Sequence, residues 1–144
     1  MRIFNIIPVV VTNKFEETKA FYVNYFDFEI VFEEDGFVDL ISGGGEEFVL
    51  SFIDKNAQSI PEKSFDGNGL HYMIEVEDID EEYSRLVKAG LKVPPEITFN
   101  AQGERHFTIT DPNGILLNIF SLPDDDDEHE IHGNGNGNGN GNYL

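Results

Sequence analysis

Short apolar stretches with strand-like patterning alternate with two segments of helical periodicity. In the first half the strand-like stretches are 3–11, 28–34, 37–42 and 47–53, with turn residues at Asp35-Gly36 and Gly43-Gly44-Gly45. In the second half they are 69–76, a short piece near 91–93, 105–110 and 115–120, and Asp111-Pro112-Asn113-Gly114 reads as the turn of a closing hairpin. Between the first and second stretch of each half the period changes. Phe15, Phe21, Tyr22, Tyr25 and Phe26 share a face of a predicted helix 14–26; Ile79, Tyr83 and Leu86 share one on 79–89, which Gly90 ends.

The two halves are copies of one pattern. Val11-Thr12-Asn13-Lys14-Phe15-Glu16-Glu17 recurs 65 residues later as Val76-Glu77-Asp78-Ile79-Asp80-Glu81-Glu82. Each copy ends a strand and opens a helix, and the pairs Asn13 with Glu16 and Asp78 with Glu81 have the spacing of capping boxes. Both halves therefore read strand-helix-strand-strand-strand, with 54–68 as the linker.

Composition adds a tail and narrows the chemistry. Six acids lie in 124–130, and five Gly-Asn pairs run from Gly133 to Asn142. Such a segment cannot bury enough apolar area to offset the entropy of ordering it, so 123–144 is expected to be disordered. His129 and His132 among these acids suit a solvated tail better than a metal site. The 144 residues are 40% hydrophobic and include thirteen Phe and five Tyr, enough for a substantial core; with no Cys there are no disulfides, thiolate metal sites or cysteine nucleophile. The absence of Cys fits a cytoplasmic protein. Nine bases against 28 acids give a net charge of −19, which excludes the basic footprint that nucleic acid or an anionic membrane requires. No apolar run reaches the ~20 residues of a membrane span, and Met1 to Pro8 reads as a first strand rather than a signal peptide.

The duplicated pattern resembles the vicinal-oxygen-chelate superfamily, the glyoxalase/bleomycin-resistance/dioxygenase architecture, over about residues 3–121. Phe21-Tyr22 and Tyr25-Phe26-Asp27-Phe28 are similar to the family's helix end, with Asp27 in place of its usual glycine. Gly69-Leu70-His71-Tyr72-Met73-Ile74-Glu75-Val76-Glu77-Asp78 resembles the opening of the second half, and Gly103 to Gly114 its closing hairpin. The resemblance implies an α+β fold: two βαβββ modules, 1–55 and 68–122, whose curved mixed sheets form a trough around a small-molecule site.

The resemblance also implies where a metal would sit. The first-strand ligand position is Ile6, the fourth-strand acid falls at Val49 or Leu50, the second-half histidine is His71, and the last-strand carboxylate is replaced by Asn118. A catalytic metal needs about three protein ligands, normally including a carboxylate. With one good ligand left, no metal and no cofactor are expected. Strand alternation groups His71 with Met73 and Glu75, and Asn118 with Leu116 and Phe120; the resemblance adds His106 and Thr108, and Ile6, Pro8 and Val10 as the opposite wall. His71 and His106 also have purely structural roles available, as satisfied core histidines. Glu75 suits a solvated strand end, and Arg105 a surface ion pair.

The expected function is metal-free binding of a small molecule, sequestering an aromatic or amphipathic compound, with a cationic one suited to the acidic surface. The candidate ligand-binding residues are His71, Met73, His106, Thr108, Asn118 and Phe120. The alternative is an enzyme of the superfamily, a lyase, isomerase or dioxygenase, using His71 and His106 in acid–base chemistry or a non-standard metal site. No nucleophile accompanies them, since Ser51 lacks an activating motif. A regulatory module with an acidic tail is a weaker third reading. The resemblance further implies a homodimer.

Overall fold

The structure is a computed structural model that describes residues 1–44, 46–57 and 65–123. Apart from Pro123, the predicted tail lies outside the described residues, as do His129 and His132. Ten elements follow in chain order: β1 Val9–Thr12, α1 Phe15–Phe26, β2 Glu29–Glu34, β3 Phe37–Ile41, β4 Val49–Asp54, β5 His71–Glu75, α2 Ile79–Lys88, β6 Thr98–Phe99, β7 Arg105–Thr110 and β8 Leu116–Ser121. This is the duplicated strand-helix-strand-strand-strand order. The strands form two four-stranded mixed sheets, β1-β4-β3-β2 and β5-β8-β7-β6, and the fold is α+β. In each sheet the first and last strands of the repeat pair in parallel.

The chain divides into two compact units, one of Met1–Leu70 with Thr110–Ile115, the other of His71–Ile109 and the chain from Leu116 onward. In the first unit, α1 covers one face of its sheet. Val38, Leu40 and Phe52 are fully buried on that face, and the Tyr22 ring stacks on Phe52 at 5.5 Å. Burying each such side chain is worth about 1.5–3 kcal/mol. The helix ends at Asp27, whose left-handed backbone (φ 59°) is the conformation that glycine adopts without strain.

The Asp111-Pro112-Asn113-Gly114 turn belongs to this same unit. Tyr22 donates its hydroxyl to Asp111 Oδ2 at 2.8 Å, and Asn113 Nδ2 donates to Thr18 Oγ1 at 2.9 Å. Thr12 Oγ1 donates to Asn113 Oδ1 and accepts from the Lys14 amide. Gly67 lies against the turn; a Cβ there would stand 2.6 Å from the Asn113 carbonyl oxygen, so no larger residue fits without movement.

In the second unit α2 packs on β8. Ile79 and Leu86 are buried, Tyr83 meets Phe107 edge-on at 5.2 Å, and Ile109, Leu117 and Ile119 complete the core. Asp78 caps α2, its side chain accepting from the Glu81 amide at 3.1 Å.

Four expectations are corrected. Residues 1–8 form no strand and are exposed, so Ile6, at 73% exposure, and Pro8 lie outside β1. Val10 faces the helix side, in register with Phe52 and 8% exposed; Val9 and Val11 take the other face. The cap of α1 is Lys14, whose ammonium cannot accept, and the hydroxyl of Thr12 replaces Asn13 as the local acceptor. The sixth strand is Thr98–Phe99, not 91–93.

Candidate functional site

The second sheet buries Phe107, Ile109, Leu117 and Ile119 on the side of α2. Alternation then turns His106, Thr108, Asn118 and Phe120 to the other side. On β5, Met73 is in register with Asn118, His71 with Leu116 and Glu75 with Phe120, so these share that side too. All six candidate residues therefore lie on one face of one sheet.

Within that face the structure joins three of them. His106 Nδ1 lies 3.0 Å from Asn118 Oδ1, and Asn118 Nδ2 reaches Met73 Sδ at 3.5 Å. An amide oxygen only accepts, so Nδ1 carries the hydrogen in this pair. Nε2 has no partner among the described residues. His71, exposed at the start of β5, is one alternation step from Met73 and outside this chain of contacts. Thr108 is half-buried. Phe120 is only 2% exposed, so it belongs to the packed interior and offers a ligand little surface.

The residues present do not fit the family's metal. Ile6 is hydrocarbon, Val49 and Leu50 have no donor, and the Asn118 oxygen is engaged by His106. Among the described residues no three of His, Asp or Glu converge as a ligand set.

The second unit also has a cleft of about 670 Å³ at the start of α2, lined by Glu77, Asp78, Asp80, Glu104 and Arg105 among others. In its lining Arg105 holds both oxygens of Asp80 at 2.8 and 2.9 Å, and this hydrogen bonding lowers the Asp80 pKa from its ordinary value. The end of α2 is capped by Asp78, and five carboxylates outnumber the apolar Ile79, Phe99, Leu122 and Pro123 in the lining, unlike the mostly apolar walls of a small-molecule pocket. The sheet face is the better candidate.

The sequence profile of the Glyoxalase/Bleomycin resistance protein/Dioxygenase superfamily matches residues 5–119. The chain belongs to this superfamily. Among solved structures, a glyoxalase/bleomycin resistance protein/dioxygenase from Nocardioides is 19% identical, with a TM-score of 0.68 and coverage of 87% of each chain. A lactoylglutathione lyase from Agrobacterium tumefaciens is 21% identical, with a TM-score of 0.62, over 83% of this chain and 95% of that one. A bleomycin resistance determinant encoded on the transposon Tn5 is also 21% identical, with a TM-score of 0.61, over 83% and 98%. At these identities the likeness is one of fold. Among curated proteins no sequence matches.

Proposed function

We propose that the chain is a metal-free small-molecule-binding member of the superfamily, sequestering an aromatic or amphipathic compound, with cationic compounds favoured by the net charge of −19. The observation that carries this reading is the His106–Asn118–Met73 chain. It sets an oriented imidazole, an amide and a thioether on a sheet face turned away from the helix. Such groups orient a ligand, and apolar neighbours supply contact area. The Tn5 neighbour, a bleomycin resistance determinant, supports the binder reading by analogy of fold. The open Nε2 of His106 supports a second reading, acid–base catalysis, which turnover of a bound compound would reveal.

The test pairs elemental analysis of the purified protein with a thermal-shift ligand screen. Metal-free protein, stabilised by a compound that is recovered unchanged, is the expected result. His106→Ala then weakens binding by about 1–3 kcal/mol, the cost of an unmade buried hydrogen bond. Stoichiometric metal, or an unchanged affinity in the variant, overturns the reading.

We also propose that the protein works as a homodimer without a nucleic-acid or membrane partner. The support is apolar: Ile3, Phe4, Ile6 and Ile7 are 44–88% exposed in the leading segment. No helix among the described residues is long and apolar enough to cross a membrane.

A further inference from the structure

The first unit has a polar pair of its own on the sheet face turned away from α1. One row crosses its four strands in register: Val9 on β1, Ser51 on β4, Asp39 on β3 and Phe32 on β2. Residues in register project to the same side, and the neighbouring row, with Phe52 and Val38, fills the helix side. Ser51, 2% exposed, donates its hydroxyl to Asp39 Oδ1 at 2.5 Å. The other oxygen, Oδ2, has no partner among the described residues. The pair occupies the third and fourth strands of its module, the same strands that hold His106 and Asn118 in the second.

The surroundings of Asp39 are apolar or acidic. Phe32 meets Phe37 at 6.2 Å, and Val9 and Phe32 are 44% and 46% exposed. None of β1, β2, β3 or β4 contains a basic residue, while Glu34 extends the adjacent row. With Ser51 on one oxygen and no basic residue in these strands, the half-buried carboxylate offers Oδ2 to an incoming cation. A bare metal ion is not the match, because one carboxylate and one hydroxyl fall short of the six to eight oxygens of a calcium site. An organic ammonium compound satisfies both features. Its charge meets Oδ2, and its body lies on Val9 and the phenyl rings, which attract cations through their faces.

We propose that Asp39 and Ser51 form a binding site for a small organic ammonium compound with an aromatic or aliphatic body. This goes beyond the function proposed above, which rests on the other sheet.

The test titrates isotope-labelled full-length protein with phenethylammonium, and with phenethyl alcohol as its neutral counterpart, reading amide shifts by NMR. The ammonium compound binds more tightly than the alcohol and shifts the amides of Val9, Phe32, Asp39 and Ser51. Asp39→Asn weakens it roughly tenfold or more, as expected for loss of a charged hydrogen-bond partner. Ser51→Ala weakens it less, since the carboxylate stays but loses its orientation. Equal affinity in Asp39→Asn, or no preference for ammonium over alcohol, overturns the proposal. Affinity that falls in His106→Ala and not in Asp39→Asn moves the compound to the second sheet, which overturns this site and leaves the earlier reading intact. Should Asp39→Asn fail to fold, the parent's shift map and the ammonium preference decide alone.

Discussion

Asp111 is 4% exposed and accepts three hydrogen bonds, from the Tyr22 hydroxyl at Oδ2 and from the Asn113 and Ile115 amides at Oδ1. A buried carboxylate persists only when its oxygens are satisfied, and here one side chain and two amides share that task. Tyr22→Phe keeps the ring stacked on Phe52 but takes the donor from Oδ2. It is expected to lower stability by about 1–3 kcal/mol, the cost of stripping a charged acceptor, as read from urea denaturation. Unchanged stability would mean that another donor serves Oδ2. This contact, like those of Thr12 and Thr18, was not legible in the sequence. The turn reads there as a local hairpin signal, and nothing in Asp-Pro-Asn-Gly says that its side chains are held by residues some ninety positions away.

The elements followed from pattern where the pattern was strong. The two helices begin and end within a residue of their predicted limits, because aromatic spacing in one and Asp78 with Gly90 in the other mark them clearly. The first strand did not. Val9-Val10-Val11 is apolar at every position, so alternation carries no phase, and a slip of one residue exchanges the faces. The structure resolves the phase: Val10 opposes Phe52 in the core, and Val9 faces outward beside Ser51. Val10→Asn should therefore cost about 2–4 kcal/mol through a lost core contact and an unpaired buried amide. Val9→Asn should cost under about 1 kcal/mol, as surface changes do. Thermal melts of the two variants in the reverse order would refute this phase. Alternation groups Met73 with His71 and Asn118 with Phe120, and His106 comes from the family resemblance; the structure brings His106, Asn118 and Met73 into one chain of contacts. The Asp39–Ser51 pair escaped notice because it depends on the register of two strands, and Ser51 looks inert without its partner.

At the scale of the whole molecule, two forces oppose each other. The charge of −19 drives copies apart, while the exposed leading segment, with Phe4 at 88% exposure, favours covering by a second copy. Salt screens the first and leaves the second intact, with a Debye length of about 10 Å at 0.1 M. The dimer fraction measured by light scattering is therefore expected to rise with ionic strength. A monomer at high micromolar concentration in both low and high salt would rule out the dimer.

The assignment of Thr110–Ile115 to the first unit bears on how the chain acquires its fold. The first unit is not encoded by one contiguous stretch; its last piece is made some forty residues after Leu70, once most of the second unit has been translated. On the ribosome, Thr12, Thr18 and Tyr22 have emerged long before the partners that satisfy them. Closing loops of this length delays the native contacts. The contacts of Thr12, Thr18 and Tyr22 with the turn therefore form only after residues 111–113 have been made.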